Sequence, residues 1–288
     1  MSRPQFLIAS STTTLRAGAR TADFLRDRRL LKTLSLLEAR AADVPIPPTL
    51  LLLEPRLGIL RAFAAAHGGT VMMRMDYSTL AAPKPLGGIA LFTDFSRKRA
   101  SAYLFAQNLF PLFHPNLDRF QDQYSAGLLL NTRSTGGRAE IVGPGFDASD
   151  LRLGASTPHE SLSVDLATAS VLTRSIISES GYEQQRSVRI LTAKRFRAYT
   201  KFVNRTGRLL SSLDRLPGSS QSAAQPNIPP SYCPMPDITL SKLLDIGTRI
   251  RLQVLDRLPR SEEFVASLSF VPKRGWVLWD IYGAWYHR

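Results

Sequence analysis

Short apolar runs separated by proline, glycine and charge set the rhythm of the first half of the chain. Phe6-Leu-Ile-Ala9 precedes a Ser/Thr run at 10–14, which predicts a strand or extended arm, loosely held, over residues 1–20. From Thr21 to Ala42 apolar positions recur at helical spacing, with Leu30, Leu34 and Leu37 four and three apart. The helix closes into Asp43-Val-Pro-Ile-Pro-Pro-Thr49, where three prolines forbid helix and favour extended backbone. Thr49 to Leu53 then reads as a buried strand. Glu54-Pro55 opens a second helix that ends at His67-Gly68-Gly69. Val71, Met72 and Met73 predict a short buried strand over 70–75, with Arg74 at its end and Lys84-Pro-Leu-Gly-Gly88 beyond. Thr93 or Asp94 can cap a helix running to about Gln107.

The second half changes period. Phe120 to Leu130 alternates as a long strand, with Phe120, Tyr124, Ala126, Leu128 and Leu130 on one face. Gly136-Gly137 reads as a turn into the strand Arg138–Gly143, and Glu160 to Asp165 as a further strand. Leu166 to Glu179 and Ser187 to Leu213 fit helices, as does Ile238 to Leu258. Glu263–Val271 and Gly275–Ile281 form a hairpin around Pro272-Lys-Arg-Gly275. Pro217 to Asp237, rich in Pro, Ser, Gln and Ala, is a loop inside a larger unit, because the 50 residues after it are few for a core of their own. The sum is an α+β chain divided into an arm (1–20), a small subdomain (21–110) and a larger one (111–288).

A hydrophobic share of 44% in 288 residues is enough for a proper core. The formal net charge of +14 invites nucleic acid, an anionic surface or a phosphorylated substrate, or else marks an Arg-rich proteome. Lys194, Arg197, Lys201, Arg205 and Arg208 fall in one stripe of the helix 187–213, either a solvated outer face or an anion-binding rail. Cys233 is alone, so cysteine builds no disulfide or zinc cluster, and no apolar stretch suits a signal peptide or a membrane span. A soluble, cytoplasmic protein is the expectation.

The stretch 70–88 carries the first candidate chemistry. A fixed guanidinium beside a glycine segment suits polyphosphate, through charge, fork geometry and backbone N–H donors. The structural alternative pairs Arg74 with a carboxylate, Asp76 or Glu140.

Arg28, then Lys32-Thr33, then Val44-Pro-Ile-Pro-Pro-Thr49 is similar to the opening of the ATP-grasp family. The family continues with a strand, a helix, a strand ending in Lys or Arg that holds nucleotide phosphate, and a glycine-containing phosphate loop. Thr49–Leu53, Pro55–Ala66, Val71–Arg74 and Gly87-Gly88 follow in that order. The resemblance implies two α+β subdomains with mainly antiparallel sheets flanking a nucleotide cleft. It also implies ATP and Mg2+ as cofactors. The implied reaction activates a carboxylate as acyl phosphate and passes it to an amine or similar nucleophile on a small-molecule or peptide acceptor. Arg74, Lys84, Gly87 and Gly88 would hold nucleotide. Where the family carries Glu-x-Asn for magnesium, this chain has Trp279-Asp280-Ile281.

Magnesium needs hard oxygen ligands. Glu140 and Asp280, each on a predicted strand, are the acids chosen for it, with Asp122 a third option. The loop Gly143–Gly154 brings Asp147, Asp150 and Arg152 among glycines, a surface for a polar acceptor or plain turn chemistry. His159 is a candidate general base, although its neighbour Glu160 would point to the opposite sheet face. His67, His114, His159 and His287 show no metal spacing. Trp276, Trp279, Tyr282 and Trp285 read as core before base stacking. The alternative to the ligase is a non-enzymatic basic nucleic-acid-binding protein.

Overall fold

The computed structural model describes residues 6–9, 14–16, 19–54, 57–67, 71–77, 89–92, 109–115, 124–143, 159–177, 234–259 and 261–283. Their strands form two six-stranded sheets, and only one of the strand pairings described is parallel. The α+β expectation with mainly antiparallel sheets holds.

The first sheet contains β1 (Phe6–Ala9), β2 (Thr14–Arg16), β3 (Thr49–Leu52), β4 (Val71–Tyr77), β5 (Ile89–Phe92) and β6 (Leu109–Pro115), in the order β2-β1-β3-β6-β4-β5. β1 lies parallel to β3 and buries Phe6, Ile8 and Ala9, so of the two alternatives for this stretch, strand or loosely held arm, the strand forms. β6 sits between β3 and β4, so this sheet runs past the division expected at residue 110. Pairing partners distant in sequence decide which unit a short strand joins, and local pattern does not carry them.

The helical stretch 21–42 breaks into α1 (Ala19–Asp27) and α2 (Leu31–Ala41). Arg29 takes a left-handed conformation (φ 51°), and the Leu30 N–H reaches back to Leu25 O at 2.9 Å, which closes α1 and lets α2 set off in a new direction. Every residue of α2 from Leu31 to Ala39 is buried, polar ones included, because α2 lies between the two sheets. α3 (Leu57–Ala66) buries Leu60 and Phe63.

The second sheet contains β7 (Ser125–Asn131), β8 (Gly136–Val142), β9 (His159–Asp165), β10 (Ser170–Ile177), β11 (Glu263–Val271) and β12 (Gly275–Gly283), in the order β10-β9-β8-β7-β11-β12. Ala126, Leu128, Leu130, Ala139, Ile141, Leu162, Val164, Phe264 and Ala266 make its apolar face. That face meets α4 (Asp237–Gln253), which approaches closely at Gly247, where an added Cβ would stand 2.5 Å from Leu128 Cδ2. Trp276 Nε1 donates to Thr239 O at 2.8 Å, so this tryptophan is core, as expected. One hydrophobic cluster runs from Phe6 and Leu51 of the first sheet through α2 to Leu278 and Ile281 of the second.

Of the stretch 166–179, expected to be helical, the described residues 166–177 are a turn followed by β10. Its apolar spacing fits either period, but β-branched Val171, Thr173, Ile176 and Ile177 favour a strand. Asp165 also fastens a turn, accepting from Ala167 N at 2.9 Å and Thr168 Oγ1 at 3.1 Å, with Ala169 at φ 51°. The predicted helices 93–107 and 187–213 and most of the loop 217–237 lie outside the described residues.

Candidate functional site

β12 forms one edge of the second sheet, and an edge strand leaves backbone groups to be satisfied. Here they are taken by the first half of the chain. Leu278 N donates to Pro45 O at 2.8 Å, and Ile281 N to Ser35 Oγ at 3.2 Å. Between them the β11–β12 register slips: Ser267 faces Asp280 while Leu268 faces Leu278, so Trp279 is an extra residue on β12. A bulge of this kind re-aims side chains and takes a carbonyl out of the ladder. Arg74 uses both results: Nη1 donates to Trp279 O, and Nη2 pairs with the Asp280 carboxylate. The exposures are 6% for Arg74 and 2% for Asp280. The guanidinium expected in an open cleft therefore faces a buried carboxylate, and its partner is Asp280 rather than Asp76 or Glu140.

Arg74 and Asp76 share a face of β4 by alternation. Asp76 Oδ2 accepts from Thr33 N at 2.8 Å and Thr33 Oγ1 at 2.6 Å. It thereby fills the anion position at the N-terminus of α2, whose own N-cap residue, Leu30, offers no side-chain bond. Lys32 is buried in the same region.

His114, on β6, is fully buried at 0% exposure. Its Nδ1 lies 3.3 Å from Pro48 O and 3.3 Å from Thr49 Oγ1, and Thr49 Oγ1 itself donates to Pro47 O at 2.9 Å. That set places the proton on Nδ1 and leaves Nε2 a buried acceptor without a hydrogen-bond partner. Burial first, and the Arg74 guanidinium second, push the ring pKa down to about 3, so the imidazole is neutral. Trp279 packs edge-on against it, with centroids 5.6 Å apart.

A second polar group lies on the same face of the second sheet as Asp280, three strands away. Glu140 on β8 meets Arg138, accepts from Ser161 Oγ at 3.1 Å, and stands 3.0 Å from His159 Nε2. Burial alone would raise the Glu140 pKa, but His159 and Arg138 outweigh it and hold it below the usual value. Glu160 points the other way, as alternation requires. It is completely buried and takes Arg174 Nε and Met235 N, each at 2.6 Å.

Glu140, Gly127, Ser267 and Asp280 sit opposite one another on four adjacent strands. Three strand spacings separate the two acids, about 14 Å between their Cα atoms. Magnesium binds oxygen at about 2.1 Å, so Glu140 and Asp280 cannot share one ion in this arrangement. Among the described residues no group of three or more His, Cys, Asp or Glu could hold a metal.

Lys84, Gly87, Gly88, Asp122, Asp147, Asp150, Arg152, Trp285, His287 and the basic stripe 194–208 lie outside the described residues. The sequence reading missed the role of His114 and the bulge at Trp279. Alternation along β4 does place Arg74 beside Asp76, but the bulge leaves no local signal in a run as apolar as Gly275–Trp279.

No family model matches the sequence, and no curated protein does. Among solved structures, the chain is similar to ATP-grasp ligases. The ATP-grasp ligase PsnB, complexed with a minimal precursor, is 8% identical with a TM-score of 0.36, over 92% of this chain and 55% of that one. The D-cycloserine synthetase DcsG is 14% identical with a TM-score of 0.36, over 91% and 70%. A RimK domain ATP-grasp protein from Sphaerobacter thermophilus DSM 20745 is 18% identical with a TM-score of 0.26, over 60% and 74%. The chain thus spans about half the length of the PsnB chain. No described helix is long and apolar enough to cross a membrane.

Proposed function

We propose that this chain is an ATP-dependent ligase of the ATP-grasp type. The reaction joins a carboxylate to an amine or similar nucleophile. The carboxylate oxygen attacks the γ-phosphorus and ADP leaves; the nucleophile then attacks the acyl carbonyl and phosphate leaves. The observation that carries the reading is the seam itself. Arg74 from one sheet and Asp280 from the other meet there, with Lys32, Asp76 and His114 packed around the same junction. Charged groups buried together are costly to fold around and gather at functional sites. The ordered sequence resemblance from Arg28 to Gly88 supports the same reading.

In this reading Arg74 takes a phosphate, with Lys84, Gly87 and Gly88 as further phosphate contacts. Magnesium, when bound, would neutralise the phosphates, and Asp280 would be the carboxylate that holds it. Glu140, too far away to share that ion, orients His159, and Arg152 and His159 serve the acceptor. His159 accepts the proton that the amine must lose before it attacks.

A ligand that binds the native state raises the melting temperature by mass action. Magnesium with ATP at millimolar concentration is therefore expected to raise it, and Arg74→Gln to abolish the rise. An unchanged melting temperature in the wild type removes the ligase reading.

One observation favours a second reading. The Arg74 fork is already occupied by β12, as it would be in a relic of the fold whose seam is purely structural and whose role is a protein contact. The same titration separates the two. Nothing in the described residues supports nucleic-acid binding.

A further inference from the structure

We propose that β10, one edge of the second sheet, pairs antiparallel with β10 of a second copy of this chain and joins two second sheets into one across a two-fold axis. The inference is independent of the ligase reading.

The edge is exposed and apolar. β10 pairs with β9 on one side and, among the described residues, with no strand on the other. Such an edge presents a row of backbone donors and acceptors to any strand that can align with it. The usual protections are few here. Ser170–Ile177 runs for eight residues, about 27 Å, with no proline and one charged side chain, Arg174. Its one irregularity lies between Val171 and Thr173 and leaves Thr173–Ile177 in unbroken register. Four of the six large apolar side chains that stand exposed among the described residues belong to this strand: Val171, Leu172, Ile176 and Ile177. A fifth, Ile238, follows the Asp237 that Arg174 holds.

Charge, closure and size select a second copy as the occupant. With a net charge of +14, two copies repel one another over most approaches. At β10 the charge is balanced, because Arg174 is paired with both Glu160 and Asp237. Two such edges meet without opposing unpaired cations, whereas a charged partner would find no uncompensated charge on the strand to recognise. The opposite edge of the same sheet, β12, is already tied to the first half of the chain through Leu278 N and Ile281 N. The edges of the first sheet are strands of only three and four residues. An isologous contact uses the same edge in both copies, so assembly stops at two. Eight residues a side is well short of the about 20–30 that a tight interface uses, which fits a weak, concentration-dependent dimer.

The test is sedimentation velocity of the full chain over about 2–500 μM, which should show monomer and dimer in exchange with a Kd on the order of 10–100 μM and no larger species. Raising salt from about 0.05 to 0.5 M should tighten the dimer by roughly threefold, because it screens the repulsion between two basic chains. The double variant Leu172→Lys with Ile176→Lys places charge along the edge and should weaken association by at least about tenfold. If it does not fold, Leu172→Lys alone carries the same direction, since Leu172 is 62% exposed. Leu252→Lys, an equally exposed apolar position on α4, should leave the dimer unchanged. Amide exchange over Val171–Ile177 should slow with wild-type concentration, while that of β12 should not. A chain that stays monomeric over the whole range leaves the edge to some other partner and overturns the proposal. So does a dimer that the lysines do not weaken, one that loosens as salt rises, or an assembly that keeps growing beyond two. None of these outcomes bears on nucleotide binding.

Discussion

Asp76 on β4 holds Thr33 on α2 through a single carboxylate oxygen, which accepts both the backbone N–H and the side-chain hydroxyl. The helix that lies between the two sheets is thus anchored to the first of them at its positive end. The other end of the chain is tied to the same helix through Ile281 N and Ser35 Oγ. A strand of each sheet therefore depends on one turn of α2, which explains why that turn is buried despite carrying Lys32, Thr33 and Ser35.

Removing one side of this anchor has a predictable cost. Hydrogen bonds to a charged group are each worth about 1.5–3 kcal/mol. Thr33→Val deletes the hydroxyl bond and keeps the shape, so it should destabilise by about 2 kcal/mol in urea unfolding. Asp76→Ala removes the acceptor of both bonds and should cost more than Thr33→Val. Equal losses would mean that the backbone bond at Thr33 N contributes nothing.

The acid sensitivity of the fold should be traceable to His114. Its folded pKa is about 3 against an ordinary 6.5. Between those values the unfolded chain binds a proton that the native state does not. Stability therefore falls as pH drops from about 6.5 toward 3, and is independent of this group above about 6.5. One proton corresponds to about a tenfold change in the folding constant per pH unit. His114→Asn, which can still meet Pro48 O, should lose stability at neutral pH but show a shallower decline between about pH 6 and 4. Carboxylates titrate in the same window, so the comparison is wild type against variant at each pH. Parallel curves would refute the assignment.

How much of this was legible depended on range. Leu30, Leu34 and Leu37 announced a helix, and the alternation at Ala126, Leu128 and Leu130 announced a buried strand face, because both signals are periodic and local. Pro272-Lys-Arg-Gly275 announced its hairpin through turn chemistry, with Lys273 at φ 66° and Gly275 at φ 83°. Arg29, which ends α1, carries no such signal, since its left-handed backbone is unusual for arginine. At the seam the residue types were readable and the partners were not. Arg74 and Asp280 are separated by 206 positions, and only the folded register of β11 against β12 brings the carboxylate round to the guanidinium.

The clasp at Glu160 should behave as a fastener for the start of α4. Arg174 reaches Glu160, Asp237 Oδ1 at 2.7 Å and Met235 O at 2.6 Å, so β10 holds the entry to the helix. Arg174→Met leaves the Glu160 carboxylate buried with one charge partner removed, at a cost of about 3 kcal/mol. Exchange of the Met235 amide, which donates to Glu160, should accelerate more than that of Leu278 in the seam. Uniform acceleration at both sites would show global destabilisation and not release of a local fastener.

Stability measurements on the seam pair make the sharpest separation between structural and ligand roles. Arg74→Met leaves Asp280 buried without its cation and should cost about 3–5 kcal/mol. Asp280→Leu strands the guanidinium and should cost a similar amount. If the pair is mainly a staple, the double variant Arg74→Met with Asp280→Leu should recover much of the loss, because two apolar residues of similar size replace two charges and the desolvation cost disappears. The coupling energy from the four proteins should then exceed about 1.5 kcal/mol. Nucleotide binding distinguishes what stability cannot. A folded, recovered double variant that no longer responds to ATP with magnesium assigns the charges to the ligand. A double variant that still binds ATP as wild type does places the nucleotide elsewhere and leaves Arg74 and Asp280 a structural pair.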